Sequence, residues 1–185
     1  MLIDFRKRER STQNLVIKEE QVEIVHDYKY LGVQIDDKIT GDVNTKKVYG
    51  KCMQRIHFLR ILRNLKVENT ILTMFYKSVI ESTLCFGLTT LYGCLTVKNK
   101  RKLKKVVRIA GKLGVKVTTL DDLYSRNVLS TIRKIMNDNT HPLNDNYVFL
   151  RSGKRLGLPL QKTSRYKNSL VPVSIKLYNS VHAKR

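Results

Sequence analysis

The chain has 185 residues, 42% hydrophobic and 28% charged, enough apolar material for one packed domain and too much for a chain disordered throughout. Its 36 Lys and Arg against 15 Asp and Glu leave a net charge of +21, a self-repelling excess that a polyanion offsets, so nucleic acid is the first partner expected and an anionic membrane surface the second. Cys52, Cys85 and Cys94 are odd in number and lack metal-ligand spacing, which argues against a disulfide framework and for buried thiols in an intracellular compartment, cytoplasmic or nuclear.

Residues 1–37 read as strands. The opening "MLIDFRKRER" turns charged at once and carries no apolar core of signal-peptide length. "LVI" at 15–17 and "QVEIVHDY" at 21–28 flank a polar Lys18-Glu19-Glu20, and Val22, Ile24 and His26 alternate with Glu23, Val25 and Asp27, which predicts a hairpin with one apolar face. Tyr30, Leu31, Val33 and Ile35 predict a further strand, in which Gly32 marks a bulge or a close backbone approach.

After Asp37 the period changes. Val48, Cys52, Ile56, Leu59 and Leu62 recur at three and four residues and predict a helix capped by Asn44 or Thr45, with Lys51 and Arg55 sharing a face outside the apolar stripe. A second helix is expected from about Val67, with Ile71, Leu72, Phe75 and Val79 inward. Residues 79–97 are long enough to span a membrane, but Glu81, the Ser and Thr content and two glycines predict a buried helix followed by a turn. In "VKNKRKLKKVVRIAGKLG" the apolar Leu103, Val106, Val107, Ala110 and Leu113 fall on one side of a third helix. Arg101, Lys104, Lys105, Arg108 and Lys112 fall on the other, and "GKLG" at 111–114 reads as its C-cap. A fourth helix is expected from Asp121 or Asp122, with Leu123, Val128, Leu129, Ile132 and Ile135 apolar. Pro142, Pro159 and Pro172 all follow it, in a segment rich in Lys, Arg and Ser that reads as a loosely packed basic tail with room for a short helix near 172–180. The expected fold is α+β: a small antiparallel sheet in 1–37, a helical bundle in 38–138 and a basic tail in 139–185.

No motif in the chain carries an evident reaction. Asp36-Asp37 after an apolar run, with Asp4 upstream, resembles a two-metal carboxylate set, but such a set needs segments that converge on both ions. Here the pair runs into "KITGDVNTKK", where carboxylates favour a helix N-terminus. His26, His57, His141 and His182 are scattered, with no His-x-Asp spacing for an iron site. Neither metal nor cofactor is implied, and the chain reads as non-catalytic. Binding is the better reading, since the five cations of the third helix face one way without interleaved acids, and each can neutralise a phosphate of RNA or DNA. "KNKRKLKK" doubles as a nuclear address.

Through "YKYLGVQIDD" at 28–37, "NTKKVYGKCMQRIHFLRILR" at 44–63, "MFYKSVIESTLCFGLTTLYGCLTVKNKRKL" at 74–103 and the 137–180 segment, the chain resembles the C-terminal part of reverse transcriptases from vertebrate non-LTR, LINE-type retrotransposons. The resemblance implies that Tyr30-Leu31-Gly32 is a primer-grip hairpin, that the following helices form a thumb, and that the catalytic aspartates lie upstream and are missing. Lys18-Glu19 stands where that family often has an Asn-Gly turn, and Leu91 where it has a tryptophan. Residues 28–63 also resemble the N-terminal module named after the eighth AlkB homologue, whose iron and methyl-donor motifs are not found in these residues. A third reading is an unselected fragment, whose 30–35 strand is left with an uncovered edge.

Overall fold

Two short antiparallel hairpins lead into a helical bundle, an α+β arrangement as expected. The structure, a computed structural model, describes residue 3 and residues 15–182; Asp4 and the strand expected around it lie outside the described residues. Strand β1 (Val16–Ile17) pairs with β2 (Glu20–Gln21) across Lys18 and Glu19, whose φ values of 50° and 68° are those a two-residue hairpin turn needs. Lys-Glu therefore adopts the backbone that Asn-Gly would favour. Strand β3 (Asp27–Tyr30) pairs with β4 (Val33–Asp36), and Leu31 (φ 45°) and Gly32 (φ 86°) form the turn between them. This corrects the single strand expected over Tyr30 to Ile35: Gly32 supplies a positive-φ turn position, not a bulge. The close backbone approach expected as the alternative is not found among the described residues either: the neighbour is a side chain, the Phe86 ring, 3.1 Å from where a Cβ on Gly32 would lie.

Strand β4 is turned the opposite way from its apolar pattern. Gln34 and Asp36 are buried while Val33 and Ile35 are only half-buried. The cause is its neighbour, the N-terminus of helix α1 (Asp42–Asn64), where backbone N–H groups need acceptors. Asp36 Oδ1 accepts from the Thr40 N–H at 2.8 Å and Oδ2 from the Gly41 N–H at 2.9 Å. Asn44 Oδ1 accepts from the Gln34 N–H at 3.1 Å and Lys47 Nζ donates to Gln34 Oε1 at 2.6 Å, which clips β4 onto α1. Asn44 and Thr45 thus lie inside the helix, and the expected cap is corrected: Gly41 is the N-cap residue, with φ 68°.

Helix α1 buries Thr45, Cys52, Ile56 and Leu59. Helix α2 (Asn69–Phe75) passes through a π-helical segment (Tyr76–Glu81) into α3 (Ser82–Cys85). Leu72, Tyr76, Ile80 and Leu84 form its buried line. A spacing of four drifts about 40° per step on an ideal α-helix, and the wider π turn absorbs that drift. Ile71 is 52% exposed, so its expected inward position is corrected: Tyr76 takes the core. The helix breaks at Phe86 (ψ 118°) and Gly87 (φ 68°) before α4 (Leu88–Leu91), matching the buried helix and turn expected in 79–97. No helix among the described residues is long and apolar enough to cross a membrane.

Helix α5 (Val97–Lys112) starts where the Thr96 hydroxyl accepts from the Asn99 N–H and stops at Gly114 (φ 81°), the C-cap expected of "GKLG". Helix α6 (Leu120–Met136) begins one residue earlier than expected, because the Thr119 hydroxyl accepts from the Asp122 N–H. Beyond it lie a single 3₁₀ turn (Asn144–Asn146), α7 (Ser164–Lys167) and α8 (Leu170–His182). The loops of the expected basic tail are exposed over 148–155, but its end is packed. Val171 and Ile175 join Ile132, Ile135, Tyr147 and Leu156 in a second core, and Asn179 bonds both the N–H and the carbonyl of Leu156 at 2.9 and 3.0 Å. Pro172 is accommodated because it falls in the first turn of α8.

Candidate nucleic-acid interface

Helix α5 sorts its residues as its sequence pattern requires. Leu103, Val106, Val107 and Ala110 are buried, and Lys98, Arg101, Lys105, Arg108 and Lys112 are exposed. These five recur at intervals of three and four, which lines them up along about 21 Å of the outer face. None has a hydrogen-bond or ion-pair partner among the described residues, and no acid interrupts the line. Lys104 differs from its expected companions. It lies on the flank toward α6, 2.5 Å from Asp121 Oδ2. Its hydrogen bond, followed by one from the Tyr92 hydroxyl at 2.6 Å, holds the Asp121 carboxyl below its ordinary value. Lys100 sits 5.0 Å over the Tyr92 ring, on the same flank. The stripe was legible in the sequence except for Lys98, which the i, i+3, i+7 spacing of Lys98, Arg101 and Lys105 would have added.

The two cations expected on α1 separate. Lys51 is exposed, with no partner among the described residues. Arg55 is half-buried, and its guanidinium donates to the Val79 carbonyl at 2.8 Å and to the Thr83 hydroxyl. Val79 lies inside the π-helical segment, where the normal helical ladder is interrupted, so Arg55 ties that segment to α1.

Tyr30, Leu31 and Gly32 form the tip of the β3–β4 hairpin. Tyr30 is 59% and Leu31 79% exposed, a solvent-facing apolar point. Phe86, also exposed, lies under Gly32. The hairpin and α5 are tied to α1 through different residues. The hairpin and α3 meet the flank bearing Asn44 and Arg55, whereas α5 meets Asp42, whose Oδ1 accepts from Asn99 Nδ2 at 2.5 Å. Asp42 and Asn44 point about 160° apart around the helix.

The three cysteines are desolvated thiols. Burial pushes the Cys52 thiol up to about 11 and raises the Cys85 and Cys94 thiols as well, so all three are protonated at neutral pH. Asp36 is occupied with the backbone before α1, and Asp37 lies 3.2 Å from His26 Nδ1. Among the described residues no three His, Cys, Asp or Glu side chains are grouped to hold a metal ion.

Residues 42–82 match the family described as alkylated DNA repair protein alkB homolog 8, N-terminal. The matched span runs from the start of α1 to the first residue of α3 and covers less than a quarter of the chain. It supports the resemblance to that N-terminal module. No curated protein and no solved structure matches the chain, so the likeness to retroelement reverse transcriptases finds no support there.

Proposed function

We propose that the chain is an accessory module related to the N-terminal part of alkB homolog 8, and that it holds the phosphate backbone of nucleic acid without acting chemically on it. The observation that carries the binding role is the α5 stripe of five exposed, acid-free cations. The match over α1 to α3 supports the relationship, and the name of that family, a DNA repair protein, agrees with a nucleic-acid partner. Desolvated, protonated thiols and carboxylates engaged in structural bonds favour a holding role over a catalytic one.

A salt titration tests the binding. If all five stripe cations neutralise phosphates, log affinity falls with log salt at a slope of about −4.5, roughly a 500-fold loss between 50 and 200 mM. Arg101→Gln, Lys105→Gln and Arg108→Gln together lower the slope by about 2.7, for all base sequences alike. Binding that ignores salt, or a triple variant that keeps the wild-type slope, refutes the proposal.

A second reading, a retroelement remnant with primer grip and thumb, is favoured by one feature: Tyr30-Leu31-Gly32 is an exposed hairpin tip. That reading expects Tyr30→Ala and Leu31→Ala to weaken duplex binding. Unchanged affinity in those variants, alongside a loss in the α5 variant, leaves the α5 module alone.

A further inference from the structure

We propose that a two-stranded ribbon over residues 148–157 is a second nucleic-acid contact, one that takes a single strand: the cations of its tip hold phosphates, and Phe149 at its base stacks an unpaired base. Phe149 and Leu156 form an antiparallel bridge. It is flanked by a bond from the Leu150 N–H to the Arg155 carbonyl at 2.8 Å and one from the Gly157 N–H to the Val148 carbonyl at 2.9 Å. The turn closes where the Gly153 N–H, at φ 65°, donates to the Leu150 carbonyl at 2.8 Å. Helix α8 anchors the base of the ribbon. Leu156 is buried in the second core and held by Asn179, and the Tyr147 hydroxyl lies 3.1 Å from Ser174 Oγ. A stem fixed in this way presents its tip with little left to order on binding.

The tip is cationic. Arg151, Lys154 and Arg155 are exposed, and their side chains have no partner among the described residues. From 146 to 185 the sequence contains no Asp or Glu, so nothing within this segment balances their charge.

Below the tip stands an aromatic group. Phe149 is 43% exposed. Its ring meets Tyr178 edge to face, with centroids 6.2 Å apart at 68°, and Tyr178 in turn stacks on His182 at 4.0 Å. His182 Nδ1 donates to the Tyr178 carbonyl at 2.9 Å, which fixes that ring. Tyr178 is the one ring that Phe149 meets among the described residues, so at least one Phe149 face carries no ring and can take a base. Arg151 follows two residues on, within about 7 Å of chain, so the phosphates beside a stacked base fall in reach of the tip. Bases inside a duplex have no free face, so the ring selects single strands. An anionic membrane is the other surface a basic and apolar ribbon meets, and the order of the residues argues against it. Val148 and Leu150 are exposed on the stem and the cations occupy the tip, so a bilayer would have to take up the charges before the apolar side chains.

This inference rests on the proposed nucleic-acid role, and the experiment separates the two. The chain has no tryptophan, so Phe149→Trp installs a single reporter, and a saturating single-stranded oligonucleotide should quench its emission. A strand of equal length with abasic sites in place of its bases should bind without quenching. In anisotropy titrations Phe149→Leu, which keeps apolar bulk but no ring, should weaken the base-bearing strand about tenfold and leave the abasic one near its wild-type affinity. Arg151→Gln, Lys154→Gln and Arg155→Gln together should lower the salt slope by about 2.1 for both strands. No quenching, equal weakening of the two strands by Phe149→Leu, or tighter binding of duplex than of single strand overturns the ribbon site. A blue shift of the reporter on phosphatidylserine and phosphatidylcholine vesicles, with no quenching by the strand, gives this face to a membrane and overturns it too. Loss of binding in the α5 triple variant with the ribbon variants unchanged sustains the proposed function and removes the ribbon. The reverse result removes the α5 interface and sustains the ribbon, and a wild-type protein that binds no strand removes both.

Discussion

Asp36 and Asp37 are adjacent and chemically identical, yet the structure gives them unequal work, and replacing each by alanine measures the difference. Asp36 is 7% exposed and accepts two backbone N–H groups at 2.8 and 2.9 Å plus the Thr40 hydroxyl at 3.3 Å. Hydrogen bonds to a charged group are worth about 1.5–3 kcal/mol each, and the Thr40 and Gly41 N–H groups lose their acceptor together when it is removed. Partial hydration of the vacated turn offsets part of this, which places Asp36→Ala near 3 kcal/mol of lost stability. In a chain of this size each kcal/mol moves the melting temperature by about 2–4 °C, so the variant should melt about 6–12 °C below wild type. Asp37 pairs with a His26 side chain that is 93% exposed, at 3.2 Å, a solvent-screened contact worth no more than about 0.5 kcal/mol. Circular dichroism melts at pH 7, with urea midpoints as a second probe, read both variants. Two variants that melt together would refute the role assigned to Asp36 as the acceptor that starts α1.

The pair Arg55 and Lys51 makes a parallel test. Arg55→Gln removes the tie to Val79 and Thr83 and should cost about 2 kcal/mol in a thermal melt, whereas Lys51→Gln should stay within ±0.5 kcal/mol. A stability change in Lys51→Gln as large as that in Arg55→Gln contradicts the assignment. Asp121 predicts a pH effect. Its folded-state acidity is strengthened, chiefly by Lys104, so its contribution is present above about pH 4 and is lost as the pH falls through the depressed folded value. Lys104→Met should make the acid limb of a stability-against-pH curve shallower below about pH 4, while costing only about 0.5 kcal/mol at pH 7, because both side chains of the pair are roughly half exposed. An acid limb identical to that of wild type removes Lys104 as the cause.

Helix α5 was legible in the sequence because its two sides obey a single period and its ends carry recognisable chemistry. The residues that departed from expectation did so under tertiary constraints. Strand β4 buries Gln34 and Asp36 because a helix start needs acceptors more than the core needs Val33 and Ile35. The line Leu72, Tyr76, Ile80 and Leu84 was visible as a spacing of four, but only a π turn turns that spacing into one buried face. Thr119-Leu120-Asp121-Asp122 is a capping pattern readable in advance, and it places the start of α6 one residue earlier than the acids alone. The second core escaped notice because Tyr147, Leu156, Val171 and Ile175 are isolated among basic residues and meet only when α8 folds back on α6.

The arrangement around α1 bears on which reading of the molecule is mechanically reasonable. A grip-and-thumb device needs its hairpin tip and its basic helix to touch one duplex. Here β4 of the hairpin is tied to Asn44 of α1, and α5 is tied to Asp42. Arg55, expected beside Lys51 on the face outside the apolar stripe, is turned into the bundle. An acid-free row of cations runs the length of α5. If the proposed strand lies along that row, the contact runs along one helix, and a loss of binding in the α5 triple variant with none in Tyr30→Ala and Leu31→Ala is the result that separates it from a grip-and-thumb device.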